Sequence, residues 1–452
     1  MTGAIEEYSC DLLVAGAGIA GLTAAGAAAA KGMRVVVVEK ADHVGGSAVL
    51  SGGFVWRPES YEVLRAGNPD GDPELGRVLV DGHADAIAWI ASLGVEMSEE
   101  RRSSNMGGIG HLVDILGYVN AARRLVEKVG GAVLLEAEVE RLVIEDGAVT
   151  GGVVVDRDGR TRVRAPWTVL ATGGFQGDPE LRRQFIGEQA AQMLVRSNPC
   201  SDGAGLRLGR SAGGALSAGM SGFYGHVMAY PLSKPLVPGD FLRLAQSFYS
   251  VWGIMLGPDG RRFTDESLGH YRNSQALVRL PGARAVIVAD EVTRRTNATT
   301  TPLKGVEATD LPREAEREGA HVVYADTIGE LAGKIAAWGY DAAGVVRSVA
   351  EFNAGLAGDP EALTPARRTN RRPIAEPPFF ASECQPAITF THGGVRIDTE
   401  ARVLGENGEP VPGLLAAGAD GAGVYDGGYA GGLSLGAVFG LRAAATAASS
   451  PG

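Results

Sequence analysis

With 452 residues, the chain is long enough to bury a large core, and by size alone two or three domains are expected. A composition of 45% hydrophobic and 21% charged residues is that of a globular protein in water. A net charge of -11, with no basic stripe to neutralise phosphates, excludes a nucleic-acid partner. Cys10, Cys200 and Cys384 lie far apart, without CxxC or CxxCH spacing, so they form no disulfide framework, metal site or haem attachment. The acidic start MTGAIEEYSC does not read as a signal peptide. The most apolar stretch, AAGAAAA at 24–30, is too short to span a bilayer. A cytoplasmic protein with no transmembrane segment is expected.

In chain order, the first informative stretch is DLLVAGAGIAGLTAAGAAAAKGMRVVVVEK at 11–40. An apolar run ends in Gly16, Gly18 and Gly21, an Ala-rich helical segment follows, and a second apolar run reaches Val38 and Glu39. This is a βαβ nucleotide grip. Gly16 serves the tight turn, Gly18 the approach of backbone to a pyrophosphate, and Gly21 the packing of helix on strand. The phosphates then sit at the positive end of the helix. Glu39 is placed to accept from a ribose diol and repels a 2′-phosphate, which disfavours NADP; the grip alone does not choose between NAD and FAD.

KADHVGGSAVLSGGFVW supplies a second loop, with Gly45, Gly46, Ser47, Ser51, Gly52 and Gly53 able to turn backbone N–H groups toward a flat or anionic ligand. Residues 73–128 read as helices, with His83 and Trp89 as packing residues. From Ala132 the period becomes that of strands, divided by the hairpin signals EDGAV and DRDGR. Trp167–Leu170 is a further buried strand ending in ATGG, a small-residue turn of the kind that receives ligands at a sheet's carboxyl edge.

Between about 221 and 385, aromatics, prolines and loops become frequent, and this part reads as a separate inserted domain. Within it Arg367, Arg368, Arg371 and Arg372 are expected to form a solvated face. The end returns to strand, Gly-rich loop and helix, as LLAAGADGAG and GGYAGGLSLGAVFGLRAAATAA. A helix starting near Leu433 or Ser434 suits the electron-rich edge of a reduced flavin.

These motifs together resemble the flavoprotein subunits of the fumarate reductase and succinate dehydrogenase superfamily. Within it, the chain resembles the soluble branch with the 3-ketosteroid dehydrogenases, cyclic-ketone dehydrogenases and tricarballylate dehydrogenase. The resemblance rests on GAGIAGL with Glu39, GGSAVLSGG, VLATGGF, SDGAG, GIMLGPDGRRFTDES, THGGVRID, and LLAAGAD with GGLSLG. It implies an α/β fold: a Rossmann-like FAD-binding domain of the glutathione-reductase type, at 1–220 and 386–452, with an inserted α+β capping domain at 221–385. It also implies non-covalent FAD. Gly16, Gly18, Ile19, Ala20 and Gly21 meet the pyrophosphate, and Glu39 meets the ribose beside Lys40. Gly46, Ser47, Ser51, Gly52 and Gly53 follow the flavin side. Val139 meets the adenine through its backbone, and Ala171, Thr172, Gly173 and Asp202 lie in the VLATGGF and SDGAG turns. Gly418 follows the last strand, and Ser434 and Leu435 meet the isoalloxazine. The family often has an acidic or amide residue where this chain has Ala419, so Asp420 is expected to serve instead.

Oxidising or reducing a Cα–Cβ bond beside a carbonyl needs a hydride partner, a group for the α proton, and donors for charge on the carbonyl oxygen. For the proton, the resemblance points to His270, Tyr271 or Arg272 in RRFTDESLGHYRN. For the carbonyl it points to Tyr429 in DGGYAGG, where fumarate reductases place a carboxylate-binding arginine and ketone dehydrogenases a tyrosine. His392 in THGG and His226 in FYGHV match substrate-binding histidines, and Tyr224, Phe223, Tyr249 and Trp252 are candidates for an apolar pocket. The expected activity is α,β-desaturation of a cyclic ketone with an external electron acceptor. The alternatives are a di- or tricarboxylate substrate for His226, His392 and Arg272, and a non-catalytic flavin electron carrier.

Overall fold

The computed structural model describes residues 6–103, 108–300 and 308–449, and it falls into two compact units. The first comprises segments within 1–181, 197–222 and 390–452; the second comprises 182–196 and 223–389.

The first unit is built on a six-stranded sheet in the order Arg402–Leu404, Pro410–Ala416, Trp167–Leu170, Leu12–Ala15, Val35–Val38, Ala132–Leu134. All neighbours run parallel except the edge strand Arg402–Leu404. Its central strands LLVA and VVVV are wholly buried, the unbroken apolar runs of a sheet covered on both faces. The nucleotide helix Ile19–Ala30 buries every residue except its last. It can do so because it is almost all Ala and Gly, which let backbones approach: a Cβ on Gly440, in the closing helix Gly432–Ser449, would lie 2.6 Å from the Ala20 carbonyl oxygen.

A four-stranded sheet, Glu6–Ser9, Gly159–Arg164, Ala148–Asp156 and Glu138–Glu145, carries the expected hairpins. Asp146 and Gly147 both have positive φ, at 50° and 81°, as a two-residue turn with right-handed strand twist demands. The strand Ala132–Leu134 leaves this meander for the edge of the parallel sheet. The stretch read as helices contains Pro73–Ser92 and Ile115–Lys128, but between them Gly108–Leu112 pairs with Phe54–Pro58 on one side and Arg101–Arg102 on the other as a small sheet. These strands are too short and Gly-rich to show a period.

The second unit is organised around the strand Phe379–Thr391, with Leu194–Val195, Phe223–Ala229, Ala285–Ala289 and Val322–Ala325 pairing along it and Ile254–Leu256 beyond Ala285–Ala289. Helices Ile328–Ala336 and Ala342–Ala357 share one apolar core with this sheet, through Leu331, Ile335, Val345 and Phe352. A second core gathers Tyr249, Met255, Leu277, Ile287 and Phe380.

The expectation of a solvated arginine face is corrected for Arg367. Its side chain is fully buried, 2.9 Å from Glu266, and it donates to the carbonyls of Val251, Gly253 and Asn370. Glu266 in turn accepts from Arg262 at 2.6 Å. A guanidinium whose donors are met by a carboxylate and three carbonyls can leave water. Arg368 and Arg371 stay exposed.

Candidate active site

The nucleotide grip is built from backbone. Gly16 has φ +105°, and a Cβ there would lie 2.2 Å from the Ala171 carbonyl oxygen; a Cβ on Gly21 would lie 1.9 Å from the Gly16 oxygen. Gly18 is different, since its Cβ would meet nothing nearer than the Gly45 oxygen at 4.0 Å. Packing against protein therefore does not explain this glycine, whereas the approach of a phosphate does. The helix that follows Gly18 has no side-chain cap and no acid in its first turn, so its positive end is suited to an anion. Glu39 is buried and accepts from the N–H of Ala17 at 2.7 Å and of Ala41 at 2.9 Å, one on each carboxylate oxygen. Each oxygen retains a second acceptor site, which fits a ribose diol.

The remaining grip residues divide between ligand-facing backbone and scaffolding. Lys40 is ion-paired with Glu138 and Asp202, both at 3.0 Å, and Asp202 also accepts from Ala204 N–H. Ser47 Oγ accepts from Asn198 N–H at 3.1 Å, and Ser51 Oγ accepts from Gly53 N–H at 3.2 Å. Gly46 has φ +51°, and a Cβ on Gly52 would meet nothing within 4 Å. Val139 pairs with Val154 at a register irregularity. Ile19, Ala20, Ala171 and Leu435 are buried, and a Cβ on Gly418 would touch Ala20 at 2.9 Å.

Asp420 is corrected. Its carboxylate is buried and accepts from Thr172 N–H at 2.5 Å, Thr172 Oγ1 at 2.9 Å and Gly174 N–H at 3.2 Å, while burial pushes its pKa up. It fixes the ATGG turn around Gly173. Ser434 is likewise committed: its hydroxyl donates to the Trp56 carbonyl at 2.6 Å and lies 3.1 Å from His83 Nδ1.

Around Tyr429 the first unit gathers aromatic rings. Trp56 meets Tyr429 edge-on at 5.5 Å, Phe390 lies at 5.8 Å and Tyr425 at 6.4 Å; His392 stands 5.6 Å from Phe390 and 5.4 Å from Tyr425. Tyr425 is buried, which raises its pKa well above the usual phenol value, and it donates to the Gly431 carbonyl. Tyr429 is partly exposed, and its oxygen accepts from the Gly432 N–H at 3.3 Å. Trp56, Phe390 and Tyr425 were not singled out from the sequence. Phe390 was within reach, since it stands two residues before His392 at the end of the strand Phe379–Thr391.

In the second unit, Tyr224, His226 and His270 form one cluster. Tyr224 Oη lies 3.0 Å from His226 Nε2 and 3.4 Å from His270 Nε2, and the two imidazoles stack at 4.6 Å. Burial, with Arg196 adding repulsion, holds His270 down to about 4 and His226 well below its ordinary value. Both rings are neutral at pH 7. Tyr271 is partly exposed beside His270, at 5.9 Å, and the Arg272 guanidinium lies over the Tyr271 ring. Phe223 is in an apolar core. Tyr249 is corrected: it has no exposed surface, packs on Phe380 at 5.6 Å and belongs to a hydrophobic core, so it lines no pocket. Trp252 carries the Arg372 guanidinium over its ring at 5.2 Å. Among the described residues there is no cluster of three or more His, Cys, Asp or Glu able to hold a metal, and no helix long and apolar enough to cross a membrane.

A parallel sheet with a glycine grip, a ribose carboxylate and a second glycine loop defines an FAD-type dinucleotide-binding protein. The family described as FAD binding domain matches residues 11–434, and the chain belongs to it. The protein is an FAD-dependent oxidoreductase. It is 25% identical to NADH:acrylate oxidoreductase of Vibrio harveyi, over 96% of this chain but 49% of that protein, so it spans about half of that relative's length. It is 26% identical to a fumarate reductase (cytochrome) of Shewanella frigidimarina, over 94% of this chain and 74% of that one. It is 25% identical to 4-oxocyclohex-2-ene-1-carboxylate 5-dehydrogenase of Sinomonas cyclohexanicum, over 97% and 93%. In fold it matches a 3-ketosteroid-Δ4-(5α)-dehydrogenase from Rhodococcus jostii RHA1, with a TM-score of 0.78, 24% identity, and coverage of 99% of this chain and 98% of that one.

Proposed function

We propose that the protein desaturates the Cα–Cβ bond beside the carbonyl of a cyclic ketone. FAD, when bound, supplies the hydride acceptor. Tyr429 donates to the ketone oxygen and stabilises the enolate-like charge that grows there, and His270, neutral and carrying one unprotonated nitrogen, takes the α proton. Segment 221–385 selects the substrate, and an external acceptor reoxidises the cofactor.

The observation that carries this reading is the setting of Tyr429. Its phenol has Trp56, Phe390 and Tyr425 as neighbours and no arginine in DGGYAGG, an environment that matches an apolar ring better than a carboxylate. Burial keeps His226 and His270 uncharged, so neither histidine supplies a cation for a dicarboxylate. The second reading, a di- or tricarboxylate held with His392 and Arg272, draws on the acrylate- and fumarate-named relatives.

Anaerobic titration of the pure flavoprotein with a panel of steroids and cyclohexanones tests the choice. Bleaching of the flavin by at least one ketone is expected, and Tyr429→Phe should lower that rate by roughly 10²–10³ with flavin content unchanged. Absence of bleaching by every ketone, with tight competitive binding of malonate or citrate, would transfer the assignment to the carboxylate reading.

A further inference from the structure

The Tyr224 cluster contains more information than the position of a base. Ser247 Oγ accepts from the Val227 N–H at 3.2 Å, its own proton reaches the Val227 carbonyl at 3.4 Å, and His226 Nδ1 lies 3.1 Å from Ser247 Oγ. If the serine proton goes to the carbonyl, His226 must donate from Nδ1, and its Nε2 is then an acceptor. Tyr224 has one proton and two imidazole nitrogens within reach. An O–H donor makes shorter contacts than an N–H donor, and the shorter of the two Tyr224 contacts is the one to His226, at 3.0 Å against 3.4 Å. The 3.0 Å contact suits a phenol proton given to His226, with the tyrosine oxygen accepting from His270.

We infer that the hydrogen bonds run in one direction, from His270 Nε2–H to Tyr224, from Tyr224 to His226 Nε2, and from His226 Nδ1–H to Ser247, so that Tyr224 is a positioning residue that leaves His270 Nδ1 unprotonated. The inference rests on the proposed function for what His270 does, and on geometry alone for its tautomer. The stacked rings and neighbouring Arg196 oppose a charge on either histidine, and Tyr271 and Arg272, on the helix His270–Leu277, are the other titratable groups beside His270. In the proton step the substrate C–H bond breaks, its proton forms a bond to Nδ1, and the electron pair stays with the enolate. His270 is partly exposed and returns the proton to water.

The test is long-range ¹H–¹⁵N correlation of the holoenzyme labelled at its 7 histidines, with signals assigned through His270→Asn and His226→Asn. His270 is expected as a single tautomer, protonated on Nε2. In Tyr224→Phe it should become a mixture, and kcat/KM for the reactive ketone should fall roughly tenfold at constant flavin content. Ser247→Ala removes the acceptor at the far end and should mix the tautomers as well, which decides the matter if Tyr224→Phe does not fold. His270 protonated on Nδ1 in the unaltered enzyme, or an unchanged tautomer in both variants, would overturn the inference. Failure of every ketone to bleach the flavin sinks the proposed function instead, and leaves the spectra to judge the tautomer.

Discussion

Gly16, Gly18 and Gly21 shape their turn by having no side chains, whereas Tyr224, His226 and His270 are joined to one another through theirs. In the first unit the grip is shaped by backbone that a side chain would obstruct: a Cβ added at Gly16 would lie 2.2 Å from the Ala171 carbonyl oxygen. In the second unit hydrogen bonds between side chains set the geometry, and burial sets their protonation. A backbone site should fail all at once when a single carbon is added. A side-chain site should fail by degrees, and its failure should depend on pH.

The largest expected effect is therefore Gly16→Ala. Its φ of +105° and its backbone clash should cost more than about 3 kcal/mol and abolish flavin retention, read as loss of 450 nm absorbance in the purified protein. A flavin-loaded Gly16→Ala protein of normal stability would break the comparison. Next, Arg367→Ala leaves the buried Glu266 short of a partner and should destabilise by about 3 kcal/mol in urea, while Arg371→Ala, on the exposed part of the same segment, stays within about 0.5 kcal/mol.

Acid should act similarly but gradually. His83 is buried and held down to about 4, so its unfolded form binds the proton first. The stability it contributes is complete above pH about 6.5 and falls as the pH drops toward 4, by about 3 kcal/mol. His83→Asn should lose correspondingly less stability between pH 7 and 4.5 in chemical denaturation; equal losses would show that His83 does not carry the term. The smallest effect belongs to Tyr249→Phe, which should leave KM for the reactive ketone within twofold because the ring lies in a core.

The grip was legible because it is local: three glycines, a helix and Glu39 fall within 30 residues, and each contact repeats a known backbone geometry. The role of Asp420 was not, since it is held by Thr172, 248 positions away, and no local pattern announces that pairing. Arg367 reads as one of four arginines in a polar stretch, and only Glu266, 101 positions earlier, makes its burial possible. Tyr249 lies among aromatics that fit a pocket and a core equally well in composition; the packing of Phe380 decides between them. His270, Tyr271 and Arg272 are adjacent in sequence, and the contact that joins His270 to Tyr224, on a strand 46 positions before, has no local signal.

The pairing of Thr168 with Leu414, the carboxylate of Asp420 in the ATGG turn, and the closing helix against Ala20 have a consequence for biosynthesis. The grip lies at 11–40, yet some of its structural supports are synthesised only with residues 410–449. A nascent chain that has passed the grip thus still carries an incomplete cofactor site, and cofactor capture should await synthesis of the strand Pro410–Ala416 and the helix Gly432–Ser449.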